Sequence, residues 1–99
     1  MGISVQVRTF AGTVEATCVH PAIAALCGRA ASQNLPLLGC VDPYDDTVFN
    51  RLQLRVLIPE LRALTDGSAA EEAEAVHEIL ALTAQVERRA HRYLVFNGD

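Results

Sequence analysis

The acidic residues that could carry chemistry are concentrated in one short segment, "VDPYDDTVFN", residues 41–50. Asp42, Asp45 and Asp46 lie there beside Tyr44. Carboxylates gathered in a loop can bind a hard cation such as magnesium or calcium. A calcium-binding EF-hand, however, needs ligands at alternating positions, a central glycine and a terminal glutamate, and this segment lacks that pattern. The aspartates therefore do not form an EF-hand.

Two other interpretations of these aspartates are open beside a metal or catalytic site. Asp42 precedes a proline and is typical of a turn, and Asp45 or Asp46 could cap a helix that begins just after them. Alternatively, the segment is a surface for a basic protein partner, and Tyr44 is then either an exposed contact or a residue packed on the helix below. The partner-binding residues that we predict are Asp42, Tyr44, Asp45, Asp46 and Phe49.

The remaining combinations of reactive residues give no enzyme motif. Glu74 and His77 are one helical turn apart, as in di-iron bundles, but such bundles need a second motif of this kind and further glutamates. The chain has three cysteines, Cys18, Cys27 and Cys40, and no two of them form a CxxC pair. This spacing argues against a zinc finger, and three free thiols suit a reducing compartment. We therefore expect a protein that is not an enzyme, with no catalytic residue, metal or cofactor.

Composition limits the function classes further. A chain of 99 residues with 51% apolar residues is expected to form one domain over residues 1–99. Its formal net charge of −4 argues against a general nucleic-acid binder, which needs a basic surface. No segment has the length and hydrophobicity of a membrane span, and the N-terminus does not have the pattern of a signal peptide. We therefore expect a cytoplasmic protein that binds neither nucleic acid nor membrane.

Alternating apolar residues predict a β-hairpin at the N-terminus. The stretches "ISVQVRTF" and "TVEATCV" both alternate with period two, and Ala11-Gly12 between them can form the turn. A short helix over 21–32 and a long connection over 33–46 follow. The terminal "RYLVFNGD" has the aromatic and β-branched content of a strand. Because a hairpin and a single strand are not stable apart, we expect one three-stranded sheet.

Two further helices are predicted to cover this sheet. The stretch "RLQLRVLI" alternates like a strand but consists of strong helix formers, and we predict a helix from Thr47, apolar over 48–64, that Pro59 kinks or divides. Ser68 and Glu71 have the spacing of a capping box, which predicts a third helix to about residue 91. The expected fold is α+β, a two-layer domain with about three helices on one face of the sheet.

Three stretches, "LPLLGCVDPYDDTVFNRLQ", "LIPEL" and the terminal "YLVFNGD", resemble a group of small uncharacterised proteins from GC-rich actinobacteria. The resemblance covers most of residues 35–99 and carries over no catalytic residue. Small acidic single-domain proteins are often immunity or antitoxin-like partners of a toxin, and the analogy to them is one of size and charge. We therefore predict an interaction protein that inhibits a basic partner, for example a toxin, through residues 41–50.

Two alternative functions are kept. The first is a small metal-binding protein or metal-dependent enzyme, in which folding brings Glu74 or His77 to Asp42, Asp45 and Asp46. The second is a homo-oligomeric structural subunit that assembles through the apolar helix over 48–64, a face that would also suit a homodimer of the interaction protein.

Overall fold

The computed structural model describes residues 2–98, which form an α+β domain. Its strands are β1 (Ile3–Thr9), β2 (Val14–Cys18), β3 (Asp46–Phe49) and β4 (Arg92–Gly98). Its α-helices are α1 (Ile23–Ser32), α2 (Leu54–Ala63) and α3 (Ala70–Arg88), and a short 3-10 helix spans Leu38–Cys40 in the long connection. The predicted class, hairpin and helix order are confirmed.

The strands form one antiparallel sheet in the order β2-β1-β4-β3. β4 pairs with β1 along its whole length, from Ile3 opposite Gly98 to Thr9 opposite Arg92, so the expected union of the hairpin with the C-terminal strand is confirmed. The expected number of three strands is wrong, because β3 adds a fourth on the other side of β4. This arrangement makes β4 the strand that connects β3 to the N-terminal hairpin.

The segment that follows the acidic residues is a strand, and the helix predicted from Thr47 begins later. Asn50 and Gln53 form a reciprocal capping box: the Asn50 side chain accepts from the Gln53 N–H at 2.9 Å, and the Gln53 side chain accepts from the Asn50 N–H at 2.8 Å. This pair satisfies two backbone donors at the start of the helical turn that leads into α2. α2 continues through Pro59 and is not divided there.

The capping box predicted at Ser68 and Glu71 is wrong, although the helix itself is confirmed. The residue before α3 is Ala69, and no side chain caps it. The Ser68 hydroxyl instead donates to the Thr65 carbonyl at 2.9 Å, within the preceding turn. α3 ends at Arg88, and His91 adopts a left-handed backbone with φ of 56° before β4 begins.

The helices pack on one face of the sheet and enclose a single core. The strand residues that point toward the helices alternate along each strand, as at Val5 and Val7 in β1. The apolar side of α2 is buried in this same core through Leu54, Leu57 and Leu61. Because α2 buries its leucines within its own chain, they are not available for an oligomer interface. Within residues 2–98, no helix has the length and hydrophobicity to cross a membrane.

Candidate functional site

The predicted contact residues lie in a tight loop, residues 42–46, which we call the acidic loop. The Asp42 carboxylate accepts from the Tyr44 N–H at 2.8 Å, and the Asp42 N–H donates to the Thr47 hydroxyl at 2.9 Å. The Asp45 carboxylate accepts from the Asp46 N–H at 2.7 Å. Aspartate side chains commonly stabilise turns in this way. Asp42 and Asp45 therefore shape the turn, whereas no helix follows for an aspartate to cap.

The end of β4 holds the acidic loop in place. The Gly98 N–H donates to the Asp45 carbonyl at 3.0 Å. A Cβ atom at position 98 would lie 2.6 Å from the Asp42 carbonyl oxygen and from the backbone N and O of Asp45, so a side chain there would displace the loop backbone. The stretches "VDPYDDTVF" and "YLVFNGD", both part of the resemblance noted above, therefore contact each other directly.

Asp46 differs from the other two aspartates because its charge is already paired. Its carboxylate accepts from Arg8 at 2.8 Å and from the Asn97 amide at 2.6 Å. The hydrogen bond from Arg8, and after it the one from Asn97, lower the pKa of the Asp46 carboxyl below its ordinary value of 3.8. Among the described residues, no arginine or histidine nitrogen lies within 4.0 Å of the Asp42 or Asp45 carboxylate. The negative charge open to a partner is that of Asp42 and Asp45.

The two aromatic residues of the predicted contact set lie in opposite environments. Tyr44 is 66% exposed at the tip of the acidic loop, so it does not pack on an element below. Phe49 is 3% exposed, and its ring meets the edge of Phe96 with the centroids 5.7 Å apart. Phe49 faces the core because β3 alternates and its neighbour Val48 takes the outward position. Without the buried Phe49, the predicted contact residues are those of the acidic loop.

A buried carboxylate that the sequence analysis did not single out fixes the connection before this loop. Glu60, on the inward side of α2, is 7% exposed. Its carboxylate accepts from the Leu38 N–H at 2.8 Å and from the Leu37 N–H at 3.3 Å, at the start of the 3-10 helix. A charged residue among the inward leucines of an apolar helix is the sequence signal that could have revealed it. Glu60 thereby ties "LIPEL" to "LPLLGC".

A second polar group, formed by His20, Glu74 and Glu78, lies beside the start of α1; we call it the histidine–glutamate cluster. His20 Nε2 is 3.1 Å from Glu74 Oε1 and 3.9 Å from Glu78 Oε2. One potential ligand atom from each residue lies within 4.8 Å of the others, a spacing that can hold a metal ion. The Cys18 thiol donates to the Glu78 carboxylate at 3.5 Å. No local pattern in the sequence indicates this group, because His20 lies 54 positions from Glu74 along the chain.

The hydrogen bonds around this cluster oppose both a metal and a nucleophile. The Ala22 N–H donates to His20 Nδ1 at 3.0 Å, so the proton of the neutral ring is on Nε2 and points toward Glu74. A metal at Nε2 would require the proton on Nδ1, where the Ala22 N–H already points. Burial, and next the hydrogen bond to Glu78, raise the pKa of the Cys18 thiol to about 11. Cys18 is therefore a thiol at neutral pH and not a thiolate ligand or nucleophile.

The metal site considered from sequence is not assembled. Glu74 faces His20, and His77 is exposed on α3. Across residues 2–98, the histidine–glutamate cluster is the group with three potential ligands close enough for one ion, and none of the three aspartates of the acidic loop belongs to it.

Comparisons of the chain with protein-family models, with curated proteins and with solved structures find no match. The resemblance noted above therefore stays a prediction, and the function is inferred from the surfaces of the chain itself.

Proposed function

We propose that this chain is a non-enzymatic protein-binding protein that contacts a basic partner through the acidic loop. One observation carries the proposal: Tyr44 is 66% exposed at the tip of a hydrogen-bonded loop, between the carboxylates of Asp42 and Asp45, which have no cationic partner among the described residues. Exposed tyrosines are frequent energetic centres of protein interfaces, because the ring contributes contact area and the hydroxyl a hydrogen bond.

The shape of the loop supports this proposal. A hydrogen bond from the Asp42 N–H to the Thr47 hydroxyl and one from the Gly98 N–H to the Asp45 carbonyl hold the loop from both sides, and the aspartate side chains stabilise it from within. A loop that is ordered before binding loses little conformational entropy when a partner arrives. The same bonds keep Tyr44 outside the core. The acidic loop therefore has the properties of a preformed contact surface.

Charge determines the kind of partner. The formal net charge of −4 and the two open carboxylates would attract a basic surface and raise its association rate. A toxin that binds a polyanionic substrate has such a surface, and an inhibitor that covers it would act as an immunity or antitoxin-like protein. The free cysteines Cys18, Cys27 and Cys40 suit a reducing compartment, which supports a cytoplasmic location.

The test uses two variants of the loop that keep its fold. Asp42→Asn/Asp45→Asn removes two charges, while the amide oxygens can still accept the two backbone hydrogen bonds. Tyr44→Ala removes the exposed ring. The matched control is Glu71→Gln/Glu87→Gln, which makes the same charge change on exposed positions of α3.

Affinity capture from a lysate of the source organism with wild-type chain, followed by titration calorimetry with the purified partner, would measure the effect. We expect the two loop variants to bind the partner more weakly and the control to bind like wild type. Equal affinity for all four chains, at unchanged melting temperature, would exclude the acidic loop as the contact site.

A further inference from the structure

Half of the eight arginines have a carboxylate partner within the described residues, and three of the other four lie close together along the chain, with Arg88 the fourth. Of eight arginines, four have a carboxylate of the same chain within 4.0 Å: Arg8, Arg29, Arg89 and Arg92. Arg51, Arg55 and Arg62 are exposed, and no carboxylate oxygen of the described residues lies within 4.0 Å of them. These three stay open although acidic residues outnumber arginines by 12 to 8.

Arg55 and Arg62 lie on α2 and Arg51 lies in the hydrogen-bonded turn before it, and we call the side that they share the arginine face. They are spaced by four and seven residues, one and two helical turns, so their side chains extend in nearly the same direction. At 1.5 Å per residue the row is about 16 Å long. Leu54, Leu57 and Leu61 are buried on a different side of the helix, and this burial fixes the rotation of α2. The core therefore holds the arginine face toward solvent.

Apolar side chains accompany the arginines. Leu52 is 68% exposed and Val56 is 47% exposed, and the two are one turn apart beside the arginine face. The capping box of Asn50 and Gln53 orders the first turn, so Leu52 is held in a helical position and not on a free loop. Arginine is enriched at protein interfaces, and the two exposed aliphatic side chains add apolar area beside the row.

We propose that the arginine face is a second docking surface, and that its occupant is an acidic segment of a partner protein with apolar side chains between its carboxylates. Guanidinium groups bind carboxylates through two parallel hydrogen bonds, which favours carboxylates at helical spacing opposite the row. Leu52 and Val56 add apolar contacts that a phosphate backbone does not use. The formal net charge of −4 also disfavours a nucleic acid, whose binding depends on a basic surface.

This surface is independent of the acidic loop. It lies on α2 and the turn before it, it has the opposite charge, and it shares no residue with positions 42–46. A chain with both surfaces would bind a basic protein at one and an acidic segment at the other. Either proposal can fail without the other.

The test is an NMR titration of the full ¹⁵N-labelled chain with a synthetic peptide of glutamates that has leucine at every fourth position. We expect the shift changes to concentrate in residues 51–63. Arg55→Gln should weaken binding by about 1.5- to 5-fold, the range for one exposed ion pair. Arg51→Gln/Arg55→Gln/Arg62→Gln should abolish the shifts while the spectrum stays dispersed. Arg88→Gln is the matched control, because Arg88 is also exposed and no carboxylate oxygen of residues 2–98 lies within 4.0 Å of it.

Three outcomes would overturn the proposal. The first is a titration that leaves residues 51–63 unshifted. The second is an Arg88→Gln chain that loses as much affinity as Arg55→Gln, which would indicate only general charge attraction. The third is tighter binding of a single-stranded DNA oligonucleotide of equal charge to the same residues, which would assign the face to nucleic acid. Asp42→Asn/Asp45→Asn should bind the peptide at least as well as wild type, and this separates the result from the test of the acidic loop.

Discussion

Removal of the Glu60 carboxylate is the most direct test of how the chain holds the connection that precedes the acidic loop. In Glu60→Ala, the N–H groups of Leu37 and Leu38 lose their acceptor. The bond from Leu38 is short and buried, and a buried donor left without a partner costs about 1–3 kcal/mol. The bond from Leu37 is longer and half-buried, so water can replace much of it. We therefore expect a loss of about 2–3 kcal/mol in the free energy of unfolding.

Urea unfolding followed by circular dichroism at neutral pH measures this loss. For a domain of this size it corresponds to a melting temperature lower by roughly 10–20 °C. Glu60→Gln should lose less, about 1 kcal/mol, because its carbonyl oxygen can still accept from the Leu38 N–H. Glu87→Ala on the exposed side of α3 is the control and should change the stability by less than about 0.5 kcal/mol.

Hydrogen exchange adds a local measurement. The amides of Leu37 and Leu38 should exchange faster in Glu60→Ala than can be explained by the lower global stability. If Glu60→Ala is as stable as Glu87→Ala, or if both amides keep their protection, the assignment of Glu60 as the cap of the 3-10 helix is refuted.

Four further predictions concern other contacts. Gly98→Ala should lower the free energy of unfolding by about 1–3 kcal/mol, because the new methyl group overlaps the backbone of the acidic loop. Urea unfolding would measure this loss, and an unchanged midpoint would contradict the close approach of Gly98 to the loop. The pKa of the Asp46 carboxyl is lowered in the folded state, so the stability that its pair with Arg8 provides is present above about pH 4 and is lost as the pH falls below it. The difference in free energy of unfolding between wild type and Asp46→Asn should therefore shrink toward pH 2. A difference that stays constant with pH would argue against the pairing. Asn50→Ala should cost about 1 kcal/mol through loss of the capping box with Gln53, and no loss in a thermal melt would exclude the cap. Zinc or magnesium should leave the melting temperature unchanged, because the tautomer in the histidine–glutamate cluster opposes a metal, and a rise that saturates with ion concentration would contradict this.

The elements that the sequence predicts correctly are those in which one local period is sustained. The N-terminal hairpin alternates over both strands, and α3 repeats apolar residues at helical spacing over several turns. In such segments the apolar positions of the pattern are the residues that the fold buries, so the pattern alone is sufficient to predict the type of element. The two capping boxes show the limit of this reasoning. The spacing at Ser68 and Glu71 formed no cap, and the pair that did form, Asn50 and Gln53, lay inside a segment already assigned to a helix.

β3 could not be predicted because it has only four residues and its partner is distant. Val48 and Phe49, with the leucines after them, also match a helical spacing, and only the pairing with β4 makes this segment a strand. The candidate site depends on the same kind of distant contact. The exposed loop follows from its proline and aspartates, but the pairing of Asp46 with Arg8 joins residues 38 positions apart. His20 and Glu74 are 54 positions apart, beyond any local pattern.

The position of β4 between β1 and β3 affects how this chain can fold during synthesis. The hairpin and β3 belong to one sheet only through β4, and the β1–β4 register joins Ile3 to Gly98. Until β4 has left the ribosome, the β1 edge of the hairpin is unpaired, β3 has no partner, and the apolar face beneath the helices is incomplete. Pairings of such large sequence separation slow folding, because the intervening chain must be closed into a loop first. The hydrogen bond from the Gly98 N–H that holds the acidic loop can therefore form only after β4 has joined the sheet.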